Sequence, residues 1–288
     1  MKRGWGILRG TLASTLMLAM ISGTGVALAQ VDLSDTKVQD GEHPLGPAMR
    51  IAKNGLSYID DSIKDYSCTL IKRERIGGEL MARQHALCKV RHEPFSVYLY
   101  FLAPDEVKTN EAIYVEGRNS GKARCRTGIG FRSRVGWVSL KPNSVMMMKD
   151  QRYPITMTGI RMLTHRMIEM GTREMQFGEC EVKFFKGAKI NGRKCMCIQV
   201  THPKPRKQFA FHIARIFIDE EMTVPVRYAA YTWPQNQGGA PQLEEEYTYV
   251  NLKLNNGFTD ADFDEKHPEF VSARDIQQGN VRRVAEGR

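Results

Sequence analysis

Residues 66–115, YSCTLIKRERIGGELMARQHALCKVRHEPFSVYLYFLAPDEVKTNEAIYV, decide the architecture of this chain. Tyr66–Ile71 is a short strand-like run that leads to Gly77-Gly78, a turn signal, and a second run extends from Glu79 to Val90. After Pro94 comes Phe95–Phe101, dense in aromatic and β-branched residues, and Ala112–Val115 forms a fourth run closed by Gly117-Arg118-Asn119-Ser120-Gly121. Short runs of this composition between turn residues predict a meander of antiparallel hairpins.

Working outward, the pattern changes twice. Pro47–Lys64 carries Met49, Ile51, Ala52, Leu56, Ile59 and Ile63 at helical spacing, with Pro47 acceptable in the first turn. Ile160, Met162, Leu163, Met167, Ile168 and Met170 fit a second apolar helix face, with Gly171 as its expected end. Strands resume at Cys180–Phe185, turn at Asn191-Gly192, and continue through Cys195–Thr201, Phe209–Asp219, Val226–Thr232 and Glu244–Leu254. The fold expected is therefore mainly β with helices (α+β): a strongly curved antiparallel sheet packed on a few helices. Such a curl leaves room for an apolar cavity between its layers. With no repeat and no sharp boundary, residues 44–268 read as one domain. A polar flexible leader at 30–43 precedes it and a polar basic tail at 269–288 follows it.

The first 29 residues read as an export signal. Lys2, Arg3 and Arg9 precede an apolar run from Thr11 to Ile21, too short to span a bilayer with ease, and Ala27-Leu28-Ala29 gives a small-x-small cleavage site before Gln30. No cysteine stands at that cut. Cleavage removes three of the basic residues and lowers the formal charge from +10 to +7. The expected location is periplasmic or secreted. All six cysteines, Cys68, Cys88, Cys125, Cys180, Cys195 and Cys197, fall in the mature part. An oxidising compartment permits disulfides, and six cysteines allow about 15 connectivities, among which sequence does not choose. The readings are buried thiols or one to three structural disulfides. No C-x-x-C or H-x-x-x-H spacing suggests a metal.

Several phrases resemble known proteins. Arg215-Ile216-Phe217-Ile218-Asp219 followed by Pro225-Val226-Arg227-Tyr228 resembles the strand, Asp, turn, Pro, strand phrase of LolA-type lipoprotein carriers. Glu246–Asn255 with Phe258-Thr259-Asp260-Ala261-Asp262-Phe263 resembles their closing strand and ending. More closely, Tyr66–Phe263 is similar to a secreted bacterial family known as domain of unknown function 1571. The LolA-like resemblance implies an open half-barrel with a helical lid that binds acyl chains or another apolar ligand. Partners expected on that basis are a lipid or an acylated protein.

The residues expected to wall the pocket are Leu99, Phe101, Ile113, Met162, Leu163, Met167, Phe184 and Phe217. A second candidate is the run from Gly117 to Lys149, which holds Arg118, Lys122, Arg124, Arg126, Arg132, Arg134, Lys141 and Lys149 and no acidic residue. It reads either as a landing surface for an anionic partner or membrane, or as a long solvated loop. Export and the lack of an aromatic-basic motif argue against nucleic acid. Met146-Met147-Met148, Met157, Met162, Met167, Met170 and Met175 suit either an adaptable apolar lid or gap-filling core packing. Histidines are scattered, no G-x-S-x-G or phosphate loop occurs, and Ser34–Lys37 lies in the leader. The acidic clusters, and the Lys72-Arg73-Glu74-Arg75 strand end, read as solvated faces. No catalytic residue, cofactor or metal is expected.

Overall fold

The computed structural model describes Met1 and residues 31–266, apart from Ile129 and Gln237, and omits the side chains of Phe131 and Arg132. The expected export signal at 1–29 and basic tail at 269–288 therefore lie outside the described residues, as does the Arg132 side chain. The chain runs α1 (Gly46–Ser62), β1 (Asp65–Ile76), β2 (Glu79–Leu80), β3 (Gln84–Arg91), β4 (Ser96–Ala103), β5 (Glu111–Val115), β6 (Ala123–Arg126) and β7 (Val138–Leu140). It continues through α2 (Val145–Met148), α3 (Ile160–Glu174), β8 (Glu181–Ile190), β9 (Arg193–Thr201), β10 (Ile213–Asp219), β11 (Pro225–Thr232) and β12 (Gln242–Leu254).

Among the described residues these twelve strands form one sheet in the order β7-β6-β5-β4-β3-β1-β12-β11-β10-β9-β8, with β2 paired only to β1. Every pairing is antiparallel, and the edges β7 and β8 do not meet, so the sheet is open. Eleven strands laid flat would span about 48 Å at about 4.8 Å each. Yet one connected apolar cluster joins Ala123 of β6 to Val200 of β9 through Leu45, just before α1, Met49 and Ile59 of α1, and Ile160 and Leu163 of α3. Two helices reach both halves because the sheet curls around them.

Strand alternation assigns the two faces. The register Leu99–Cys88–Cys68 and Leu99–Ala112–Cys125–Val138 sets one concave row, and Ala86–Leu70–Tyr249 sets another. The convex face of β4 and β5 carries Tyr98, Tyr100, Ile113 and Val115, and the segment after β12 covers it with Phe258 and Phe263. That segment is anchored by Asp65, whose buried carboxylate accepts the backbone N–H groups of Asn256 (2.6 Å), Gly257 (3.0 Å) and Phe258 (3.0 Å).

Four local features depart from the sequence reading. The run Glu79–Val90 is divided into β2 and β3 by Met81-Ala82-Arg83. The basic run expected as loop contains β6 and β7, because Ala123 and Cys125 alternate with Arg124 and Arg126, apolar side inward. Helix α3 does not stop at Gly171. That glycine sits where α1 crosses, and a Cβ there would collide with the Met49 sulfur, so it serves close helix packing rather than termination. The leader residues 31–43, expected as flexible, lie against α1. Val31 is buried, Arg50 binds Asp35 at 2.7 Å and also pairs with Glu42, and the ring of His43 bonds the Phe177 carbonyl oxygen at 2.9 Å.

Candidate functional site

The helices do not cover the concave face evenly. Helix α1 packs against α3 and, through Ile51, against β9 and β10, leaving the β3–β7 half to be roofed by the segment between β7 and α3. A cavity of about 850 Å³ remains there. Its sheet wall is Leu70, Leu99, Phe101, Ala112, Cys125 and Val138. Its roof is Met146 and Met147 of α2, then Ile155, Met157 and Leu163. Met146 is two-thirds exposed and marks the rim.

One end of this apolar chamber is polar. The Tyr247 hydroxyl donates to Glu74 Oε1 at 2.6 Å and lies 3.1 Å from Glu245 Oε2. Lys72 Nζ donates to Glu74 Oε2 at 3.0 Å, and the Arg152 guanidinium meets Glu244 at 2.6 Å and Glu245 at 3.2 Å. The Arg166 guanidinium stacks 3.6 Å above the Tyr153 ring and lies 3.5 Å from Glu245. Burial holds the Lys72 ammonium below its ordinary pKa, with Glu74 opposing that shift. Burial, followed by the Glu245 and Glu74 charges, drives the Tyr247 phenol far above its own, so it remains a donor. These charges are mutually satisfied, which is what allows them to stay in an apolar setting.

Sequence reasoning read Glu74 and the Glu244–Glu246 cluster as solvated. The structure corrects this: Glu74, Glu245 and Glu246 are each about 95% buried. Glu74 and Glu245 are register partners on β1 and β12 at the polar end of the chamber, whereas Glu246, on the opposite pleat, pairs with Arg83 and Arg227. The signal available in the sequence was Tyr247 directly beside these acids.

Of the expected pocket residues, the structure brings Leu99, Phe101 and Leu163 together on the cavity. Met167 lines a second, narrower space of about 70 Å³ between α1, α3 and β9–β11. Phe184 is on the concave side of β8 with Met196 and Ile198, remote from the larger chamber. Ile113 lies on the convex face under Phe263, and Phe217 occupies the opposite pleat from Ile216 and Ile218, with the Arg227 guanidinium 5.9 Å from its ring. Met162 is half-buried on α3 and lines neither space.

The basic run finds acids elsewhere in the chain. Arg118 pairs with Asp260, Arg124 with Glu265 at 2.6 Å, and Arg126 with Glu111. Lys122 is half-exposed and Arg134 exposed. The covering segment after β12 thus supplies two of the three carboxylates.

The narrower space ends at Glu174, the last residue of α3. Its Oε2 lies 3.5 Å from Nε2 of the fully buried His202, while its Oε1 has no hydrogen-bond partner. Burial pushes the Glu174 carboxyl up to about 7 and lowers the His202 imidazole. Neither group reaches the larger cavity, whose described lining has no histidine and no serine. Its one thiol, Cys125, is pushed up to about 11 by burial and lies 3.2 Å from the Met147 sulfur. Among the described residues no group of His, Cys, Asp and Glu is placed to hold a metal ion, and no helix is long and apolar enough to cross a membrane.

An open antiparallel sheet curled around helices, with an apolar chamber on its concave side and a charged floor at one end, defines a half-barrel with an internal cavity. The chain belongs to the family described as protein of unknown function (DUF1571), whose model matches residues 63–271. Solved structures resemble it in outline. They include the lipoprotein LppX of Mycobacterium tuberculosis (TM-score 0.41, 13% identity, 74% of this chain and 98% of that one). A DUF1329 family protein of Desulfovibrio piger matches with TM-score 0.36 and 12% identity over 77% of this chain and 98% of that one. A LolA superfamily protein of Nitrosomonas europaea matches with TM-score 0.29 and 10% identity over 75% and 98%. No curated protein sequence matches.

Proposed function

We propose that this is an exported binding protein of the cell envelope that holds a lipid, or the acyl chain of an acylated protein, as a carrier or sensor. The observation that carries this reading is the roughly 850 Å³ chamber with apolar sheet and methionine walls and a charged, hydrogen-bonding end. Its size falls within the range of about 300–1,000 Å³ common to small-ligand sites. An acyl chain entering it gains about 0.8 kcal/mol per buried methylene. Unbranched Met146, Met147 and Met157 can adapt to chains of different length. The polar end suits a head group or ester linkage. At the charged end, Lys72, Glu74 and Tyr247 are already hydrogen-bonded to one another, which suits holding a ligand.

Docking of an anionic partner through Arg118, Lys122, Arg124, Arg126, Arg132 and Arg134, with no enclosed ligand, has less support. Three of those guanidinium groups are occupied by Asp260, Glu265 and Glu111.

The test is native purification followed by lipid mass spectrometry, together with titration of the delipidated protein with a fluorescent fatty acid. The expected result is about one acyl lipid per chain and saturable probe binding, lost when Val138→Trp fills the chamber. A lipid-free protein that also fails to bind the probe would overturn the reading.

A further inference from the structure

Of the six cysteines, Cys68 and Cys88 alone are register partners, directly opposite on β1 and β3. Their side chains share the concave face, and both are at least 95% buried. The ladder fixes their spacing. The His92 N–H donates to the Lys64 carbonyl, so the Lys64–His92 position is hydrogen-bonded. Alternation along an antiparallel pair makes Cys68–Cys88, four residues on, a hydrogen-bonded position as well, with Cα atoms about 5.5 Å apart. That Cα separation lies within the disulfide window of about 4.4–6.8 Å, and closing the bond draws the Cβ atoms, about 5.5 Å apart at such a position, to about 3.8 Å.

The other four cysteines have no such partner. Cys125 faces Ala112 and Val138 across its ladders and lies against Met147. Cys195 faces Ala188 and Asp219, and Cys197 faces Phe185 and Phe217. Two residues apart on one strand, those two have Cα atoms about 6.5 Å apart and parallel Cβ vectors, a poor geometry for a bridge. Cys180 precedes β8 beside Glu174.

We propose that Cys68 and Cys88 form a cross-strand disulfide in the exported protein, joining the two strands at the centre of the sheet. The co-reactant is a disulfide donor, either an oxidised thiol–disulfide oxidoreductase or a low-molecular-weight disulfide. The Cys68 thiolate attacks one donor sulfur, forming a mixed disulfide and releasing one donor thiol. The Cys88 thiolate then attacks the Cys68 sulfur and releases the second. Two protein thiols lose two protons and two electrons, and the donor disulfide is reduced to two thiols. The neighbouring Cys88 side chain and burial hold Cys68 protonated in the folded sheet, so the exchange takes place while the strands assemble. The bridge spans a short loop containing β2 and constrains the unfolded chain accordingly.

The experiment is a thiol count on the full chain, isolated from the envelope fraction and, separately, refolded with oxidised and reduced glutathione. Alkylation in denaturant without reductant should label four thiols, and six after reduction. Trypsin should release residues 65–72 (DYSCTLIK) joined to residues 84–89 (QHALCK). The oxidised protein should melt about 5–10 °C above the reduced one, a difference that vanishes in Cys68→Ala and in Cys88→Ala. Six free thiols in the refolded protein, or a bridge between any other pair, would overturn the proposal. A bridge present after refolding and absent from the cellular material would instead refute the export premise.

Discussion

Replacing Glu174 by glutamine tests whether the narrow space between the helices and the sheet strains a buried acid. The carboxyl sits at the carbonyl end of α3, 4% exposed, with one oxygen unpartnered and the other facing His202 Nε2. Burial moves it from 4.5 to about 7, against a smaller opposing effect of Arg173. The native state therefore keeps a proton over a pH range in which the unfolded chain has lost it. Stability must fall as pH rises from about 4.5 to about 7, by about 3 kcal/mol at about 1.4 kcal/mol per pKa unit. Glutamine has no such proton to retain. His202 works in the opposite sense: burial lowers its pKa, so it costs stability as pH falls below 6.5. The histidine is common to both proteins, and the part of its effect that does not depend on Glu174 cancels in their difference. Urea unfolding at pH 5 and pH 8 should show the variant gaining about 2.5 kcal/mol on the natural chain between the two, or about 5–10 °C in Tm. If the gap changes by less than about 0.5 kcal/mol, Glu174 ionises as an ordinary carboxylate and its assigned environment is wrong.

Two further perturbations address the frame. Gly159 has φ of 116°, and a Cβ there would lie 2.5 Å from the Tyr66 hydroxyl, which accepts the Ile160 N–H at 2.9 Å. Gly159→Ala should cost about 2–4 kcal/mol and Tyr66→Phe about 1–3, with the double variant less destabilised than their sum because the hydroxyl in the way is gone. Denaturant melts of all four proteins measure this, and strict additivity would count against it. Asp65→Ala removes the acceptor of three backbone N–H groups after β12 and should cost about 2–4 kcal/mol. Amide exchange at Phe258 and Phe263 should then accelerate ahead of the sheet, and unchanged protection there would refute the anchoring role.

Much of the fold was legible because local chemistry and final position agree. Asn191-Gly192 makes the expected hairpin, and Met49, Ile51 and Ile59 are buried on α1. Open antiparallel curvature follows from many short strands and few helices to cover them. The site was less legible, for a reason of parity. Leu99 and Ile113 are equally apolar, yet a pleat sends one into the chamber and the other under Phe263. Nothing within a single strand reveals which face is concave when both are covered, one by helices and the other by Phe258 and Phe263. The charged end was hidden differently. Glu74 and Tyr247 are 173 residues apart in sequence, and only the β1–β12 pairing makes their acid and hydroxyl one group. The basic run misled by proximity, since its neutralising Asp260 and Glu265 arrive from the far end of the domain.

The pairing of β1 with β12 also orders the assembly of the molecule. Tyr66 is matched to Leu254, so the strand made first is flanked on one side by the strand made last. A chain lacking its final hundred residues would lose a neighbour from the middle of the sheet, with the buried Glu74 left without Tyr247. Neither half is a finished subdomain, and non-local closure of this kind is slow relative to the hairpins around it. The chamber, whose polar end is that seam, comes into being only when the two ends of the domain meet.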